Sequence, residues 1–324
     1  MVWIRFPRIA FSILCVLCAS LPAHAQQPPT EVRMGMNAPN AAHWSLFIAE
    51  DQGFFREQGL HVTRVMADGP AGTISLLASK SVDIIAGGTD DVIASIAHGI
   101  PIRIVAPAFY TNPFALLTAP GITSWNDLKG KTVVIGPKLN EGGFSFDVMA
   151  RANGLSPSDF NLIVVTNSNL RYAALTSGKV SGAILVQPFD VLAKAQGMHV
   201  LADAERYFKP WMYSAFCAEP SWMAANRGTV VAFIRALRKA NAFGYAHPDA
   251  AIASLVKNLR IDPKVARAVY DLDFRQWHAF DPTERIAPEV LQAVSSRALQ
   301  VGSITEMPAL SAMYDPSYAE AASR

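Results

Sequence analysis

The sequence predicts an α/β chain of two domains, each a mostly parallel sheet flanked by helices, joined by two hinge crossovers. Three observations carry that expectation. Short β-branched runs alternate with helical runs over 31–108 and again over 131–195, and strands that alternate with helices pair in parallel. A weak internal repeat relates the two blocks. Leu76-Leu77-Ala78-Ser79-Lys80-Ser81-Val82 resembles Ala174-Leu175-Thr176-Ser177-Gly178-Lys179-Val180, and each leads into a strand, a turn and an Asp-Val pair (Asp91-Val92, Asp190-Val191). Beyond Ala218 the pattern is helical. The expected division is a leader over 1–25, a discontinuous first domain over 26–115 and 215–324, and a second domain over 116–214.

The elements follow in order. A strand over 31–36 runs into the turn Asn37-Ala38-Pro39-Asn40 and a helix over 43–55. Its apolar positions, Leu46, Phe47 and Phe54 among them, leave Glu50, Asp51 and Glu57 for water. Gly59 stops that helix. Strands are expected over 61–66, 82–86 and 102–108, with helices from Thr73 and after Asp90 between them. The apolar segment 114–118, between Pro113 and Pro120, is the first crossover. In the second block Gly130 turns a short helix into a strand ending at Ile135. Helices over 144–152, 170–177 and 189–195 then alternate with strands over 162–166 and 183–186. The segment 213–218 returns the chain. Helices over 230–245, 248–259, 263–271 and 288–300 should cover the first domain; the tail from Pro308 has little helical signal.

The first residues read as a targeting leader. Arg5 and Arg8 precede an apolar run over 9–21, too short to span a membrane, and Ala23-His24-Ala25 has the small-x-small cleavage pattern. Leucine precedes both Cys15 and Cys18, which argues against lipid attachment. Export to the periplasm is therefore expected. The chain has 28 basic and 26 acidic residues; losing Arg5 and Arg8 brings the two into balance. A neutral chain argues against nucleic acid or an anionic membrane as partner. Cys217 is the only cysteine outside the leader, so no internal disulfide is expected.

Chemistry-bearing motifs are sparse. No histidine pair sits at metal-ligand spacing, and no phosphate-binding glycine loop or Gly-x-Ser-x-Gly elbow occurs. Neither a metal, a cofactor nor a catalytic residue is expected. What remains is a ring of loops at the carboxyl ends of strands, where open sheets bind ligands. Asn37, His43 and Trp44 follow the first strand; Gly69 opens the next loop; Gly88, Thr89 and Asp90 open the one after. Asn140, Gly142, Gly143 and Phe144 play the same part in the second block, followed by Asn169, Arg171 and Gln187. Helix N-termini there offer N–H groups to an anion, and a guanidinium at Arg171 suits a carboxylate or sulfonate. The asparagines equally suit helix caps, Asp90 would repel an anion, and Arg171 equally suits an exposed helix face.

Several motifs also carry a resemblance. Gly53-Phe54-Phe55-x-x-x-Gly59-Leu60-x-Val62, then Leu77-x-Ser79-x-x-Val82-Asp83-Ile84, then Gly99-Ile100-Pro101-Ile102-Arg103-Ile104-Val105-Ala106 resemble the periplasmic substrate-binding proteins of ABC importers. The nearest branch is the sulfonate/nitrate/taurine type, which shares its fold with thiamine-pyrimidine synthases. The resemblance runs over about 31–259. It implies a type II periplasmic-binding-protein clamp that closes on a small-molecule solute, an organic anion by preference, and presents it as a monomer to an inner-membrane permease and ATPase. It also implies that the loop 138–144 helps hold the ligand's head. A pyrimidine-binding receptor, a synthase-like enzyme and a periplasmic sensor are the alternatives. For the synthases the resemblance implies a histidine, a cysteine-rich segment and a pyridoxal phosphate lysine, and this chain has no cysteine-rich segment.

Overall fold

A computed structural model describes residues 1–3 and 28–324. The basic and apolar parts of the expected leader and its cleavage point lie outside the described residues. The first half of the chain builds β1 (Thr30–Met36), α1 (Trp44–Asp51), α2 (Phe54–Glu57), β2 (Leu60–Met66), α3 (Gly69–Ala78), β3 (Ile84–Gly88), α4 (Thr89–Ala97) and β4 (Arg103–Tyr110). A second set follows: β5 (Ala115–Thr118), α5 (Trp125–Leu128), β6 (Thr132–Ile135), α6 (Glu141–Ala152), β7 (Asn161–Val164), α7 (Ser168–Thr176), β8 (Gly182–Leu185), α8 (Phe189–Ala195) and β9 (His199–Asp203). The chain returns through β10 (Met212–Ala218). It ends in helices α9 (Pro220–Ala225), α10 (Arg227–Ala246), α11 (Pro248–Leu259), α12 (Pro263–Tyr270), α13 (Pro288–Val301), α14 (Leu310–Met313) and α15 (Ser317–Ala322).

The strands form two five-stranded mixed sheets, in the orders β2-β1-β3-β10-β4 and β7-β6-β8-β5-β9. Within them β1 pairs in parallel with β2 and β3, and β6 with β7 and β8. The antiparallel members are the crossing strands: β10 against β3 and β4, and β5 against β8 and β9. Their direction follows from the path. A chain that leaves one sheet at its carboxyl edge enters the facing sheet from that sheet's carboxyl edge, and so runs backwards through it. The two crossings also touch, since Thr111 N–H donates to the Trp211 carbonyl at 2.9 Å. Beside them Asn112 is fully buried, donating to Ser145 Oγ at 2.9 Å and accepting from Phe114 N–H at 3.1 Å.

Local chemistry moves some boundaries. The helix expected over 43–55 is broken by Gly53, whose φ of 75° no helix accommodates. Helix α3 starts at Gly69 rather than Thr73, with Pro70 in its first turn, where a missing N–H costs nothing. Strand β9 was not expected: His199–Asp203 is polar at both ends, and its place beside β5 comes from pairing rather than pattern. The tail does fold, and α15 buries Tyr318, Ala319 and Ala322 beside α10.

Trp44, expected at the cleft, is a core residue. It is fully buried, its indole N–H donates to the Ala251 carbonyl at 2.8 Å, and its ring meets Tyr270, Phe274 and Phe280 edge-on. Edge-to-face contacts of this kind add to area burial, so this cluster ties α1 to α11, α12 and the segment after it. Trp44→Ala should therefore lower the unfolding free energy by about 3–5 kcal/mol in urea denaturation. A loss below about 1 kcal/mol would contradict a core position for this ring.

Candidate functional site

Between the carboxyl ends of the two sheets lies a cavity of about 860 Å³. Its first wall is the turn Asn37–Asn40 after β1, Pro70, Ala71 and Ile74 of α3, and Gly88, Asp90 and Asp91 at the start of α4. Its second wall is Gly136 and Pro137 after β6, Asn140, Glu141 and Gly142 at the start of α6, the run Thr166–Asn169 with Arg171, and Val186 with Phe189. Phe114 and Tyr213 come from the two crossings, with their rings edge-on at 5.6 Å. Glycine is required on both sides of the loop after β6, since a Cβ on Gly136 would lie 2.9 Å from the Gly142 carbonyl carbon. A Cβ on Gly143 would lie 2.2 Å from the Pro137 carbonyl oxygen, so only glycine lets the loop after β6 fold back against α6.

Arg171 is 2% exposed and faces this cavity. Its Nε donates to the Ile184 carbonyl at 2.6 Å, and Nη1 donates to those of Val165 and Thr166 at 2.8 and 2.7 Å. The ends of β7 and β8 thus fix the guanidinium plane. Nη2 makes no hydrogen bond and no carboxylate pairs with the group among the described residues. Burial pulls its pKa down to about 10, so it remains a cation at neutral pH. Of the two readings open in the sequence, the exposed helix arginine is ruled out by burial.

The opposite side of the cavity is acidic. Asp90 Oδ2 accepts from the Glu141 N–H at 2.8 Å, and Asn140 Nδ2 donates to Asp91 Oδ1, so both bonds cross from the first half to the second. Glu141 Oε1 accepts from the Trp211 indole N–H at 2.6 Å, while Oε2 is buried without a partner. Burial raises the pKa of all three carboxyls. The Asp90 charge adds to the rise at Asp91 and Glu141. The second wall therefore holds a fixed cation, while Asp90 and Asp91 of the first wall and Glu141 at the seam between the walls are carboxyls that resist ionising.

Seven of the residues singled out in the sequence line the cavity: Asn37, Gly88, Asp90, Asn140, Gly142, Asn169 and Arg171. Trp44 and six others lie elsewhere. His43 is buried beneath the turn, where Nδ1 accepts the Asn40 N–H at 3.3 Å and burial lowers its pKa to about 4. Gly69 only makes the turn, at φ 70°, that sets Pro70 and Ala71 on the wall. Thr89 is fully enclosed, and Gly143 packs under Pro137. Phe144 stands between Phe208 and Trp211, and Gln187 donates to Asp190 Oδ2 at 3.2 Å. Sequence reasoning passed over Glu141 and Phe114. For Glu141 there was a signal, an acid in the first turn after a helix cap; for Phe114, inside an apolar strand, there was none. Among the described residues no group of three or more His, Cys, Asp or Glu converges as a metal site. Cys217 is buried in β10, and burial pushes its thiol pKa up.

A family model described as NMT1/THI5 like matches residues 40–251. The "Putative binding protein YtlA" of Bacillus subtilis (strain 168) is 23% identical over 311 residues, 91% of this chain and 92% of that protein. The 4-amino-5-hydroxymethyl-2-methylpyrimidine phosphate synthase THI13 of Saccharomyces cerevisiae is 28% identical over 153 residues, 46% of this chain and 44% of that protein. Among solved structures, the alkanesulfonate-binding protein SsuA from Xanthomonas axonopodis pv. citri bound to MOPS superposes with a TM-score of 0.69 at 18% identity. That match covers 87% of this chain and 95% of the other. At this identity the likeness establishes the fold, that of the periplasmic binding proteins.

The acidic wall sets a pH dependence. A raised pKa means that the arrangement with Asp90, Asp91 and Glu141 packed together binds more protons than one in which they are solvated. Its advantage is complete below the ordinary carboxylate range and falls as pH rises through the raised values. Small-angle scattering of the ligand-free protein should show the radius of gyration growing as pH rises above the ordinary carboxylate range. Glu141→Gln, which keeps the acceptor for Trp211, should flatten that trend; an unchanged profile would remove these carboxyls as its cause.

Proposed function

This chain belongs to the NMT1/THI5-like family, and from that premise we propose that it is a periplasmic solute receptor of an ABC importer. It binds a small organic anion between its two sheets, closes on it, and delivers it to an inner-membrane permease and ATPase. The observation that carries this reading is Arg171, a buried cation on the cavity wall with no carboxylate partner of its own among the described residues. A guanidinium already fixed by three carbonyls loses little freedom on binding, so its remaining N–H groups are available to a carboxylate or sulfonate at low entropic cost. Arg171 is the cation that meets the solute and so orients it: the charged head faces Arg171, and the body lies against Phe114, Phe189 and Tyr213. A cavity of about 860 Å³ is in the range of small-molecule sites. The binding-protein name of the Bacillus relative agrees with this reading, and the leader expected from the sequence supports export to the periplasm. The receptor performs no covalent step; its one cysteine beyond the leader is sealed in β10.

A second reading rests on the carboxyls of the cavity. Asp90, Asp91 and Glu141 offer acceptors to a solute rich in N–H groups, and the yeast relative is named for an aminopyrimidine product. An aminopyrimidine would then be the solute, bound through its amino group rather than through a charge.

A thermal-shift screen separates the two. The protein without its leader is heated with alkyl and aryl sulfonates, aromatic carboxylates and aminopyrimidines. A ligand at a hundred times its dissociation constant adds about 2.7 kcal/mol of stability. Sulfonates or carboxylates should raise the melting temperature. Arg171→Lys, which keeps a charge but loses the planar fork, should weaken them at least about tenfold in a protein that still melts cooperatively. A response to aminopyrimidines alone, weakened by Asp91→Asn, would establish the second reading. Silence across the panel from a folded protein would overturn the receptor assignment for these solute classes.

A further inference from the structure

A guanidinium has five N–H groups, and Arg171 has spent three of them. Its Nε serves the Ile184 carbonyl, and Nη1 gives both its hydrogens to Val165 and Thr166. The two that remain sit on Nη2. The guanidinium fork grips two oxygens through two nitrogens, and here no second nitrogen is free. A carboxylate or sulfonate met by Arg171 alone would therefore have one oxygen bound and another bare. Tyr213 stands within electrostatic reach of Arg171 and of Asp90, Asp91 and Glu141. In β10, Ser214 pairs with Gly88 of β3, which brings Tyr213 level with the start of α4. Against β4, Met212 and Ser214 face Tyr110 and Phe109, so Tyr213 is an extra residue bulged out of the ladder. Bulges of this kind re-aim a side chain. The Tyr213 ring is held edge-on by Phe109 and Phe114, at 6.3 and 5.6 Å. Its hydroxyl makes no hydrogen bond among the described residues. Unlike Glu141 Oε2, neither that hydroxyl nor Arg171 Nη2 is sealed from solvent.

An anion with one oxygen on Nη2 needs a second donor that comes from another element, and a hydroxyl without a partner in the protein has no bond to give up in turning to it. We infer that the Tyr213 hydroxyl is the second grip on the solute, donating to the oxygen of the carboxylate or sulfonate head that Arg171 leaves bare. This deepens the receptor reading above and rests on it. Burial, then the charges of Glu141 and Asp90, raise the Tyr213 pKa, so the phenol keeps its hydrogen at neutral pH and offers it to an anion. Tyr213 belongs to the return crossing and Arg171 to the second sheet, so a head held by both is pinned where the two halves join. The other hydroxyl close by is Ser168, on the same helix as Arg171 and also on the cavity wall. Its oxygen already accepts the Val186 N–H at 3.2 Å, and it serves as the control.

The probes are benzenesulfonate and benzoate, titrated by calorimetry into the protein secreted through its own leader. The unmodified protein should bind at least one of them. Tyr213→Phe keeps the ring between Phe109 and Phe114, so the melting temperature without ligand should not change. Affinity for the bound probe should fall about tenfold, the effect of one hydrogen bond to a charged group. Ser168→Ala should bind as the unmodified protein does. Equal affinity in Tyr213→Phe, with Arg171→Lys weakened, would overturn this inference and leave the reading of Arg171 standing. A loss in Ser168→Ala in place of Tyr213→Phe would also overturn it, by moving the second grip to that helix. No heat from either probe, or an affinity indifferent to both Arg171→Lys and Tyr213→Phe, would overturn the inference and the anion reading together.

Discussion

The helices α4 and α6 meet across the cavity by their N-termini, and the arrangement depends on what lies between them. Both ends carry unsatisfied N–H groups and the positive pole of a helix dipole, so bringing them together bare would be unfavourable. Asp90 resolves this by belonging to one helix and capping the other: its Oδ2 accepts the N–H of Glu141, the first residue of α6. Asp91 Oδ1 accepts from the Asn140 side-chain amide beside it, a second bond across the gap. These acids, awkward as neighbours for an anionic solute, are accounted for by the architecture itself. They are the negative layer between two positive helix ends, and burial holds part of that charge back.

The crossing strands complete the frame. Each sheet takes one antiparallel strand from the connection between halves, and the two connections are hydrogen-bonded where Thr111 meets Trp211. This is the place where a hinge between the sheets would lie on the receptor reading proposed above. Phe114 and Tyr213 ride on these connections and face the cavity, which places the aromatic contacts where they move least.

Much of this was legible in the sequence because it rests on periodicity. The alternation of strand and helix, the glycines that end elements, and the loops at the carboxyl edges all read directly. Helices α8 and α11 fall where expected, at Phe189–Ala195 and Pro248–Leu259. Within the ring of loops, Arg171 could be singled out because a guanidinium early in a helix after a strand has few other duties. Aromatic residues could not be sorted in the same way. Trp44 and Phe144 have the composition of a ligand wall but serve the core, while Phe114, just ahead of β5, and Tyr213, in β10, lie in segments of core composition and face the cavity. Which side an aromatic ring takes is decided by packing between elements distant in sequence, such as α1 against α12, and no local pattern carries it. The same holds for His43, whose burial follows from the turn that it caps.

The mounting of Arg171 has a consequence for how such a protein changes over generations. Three of its N–H groups serve the carbonyls of Val165, Thr166 and Ile184, so the residue that sets the charge of the pocket also finishes the ends of two strands. A mutation to a neutral side chain would remove that charge and strip those carbonyls of their partners in one step. Change at this position is therefore opposed by folding whether or not a solute matters to the cell. On the receptor reading proposed above, new preferences would arise instead at Asn37, Asn169 or Phe189, which line the same hollow. Such a protein would then vary the shape of what it accepts while its cation stayed in place.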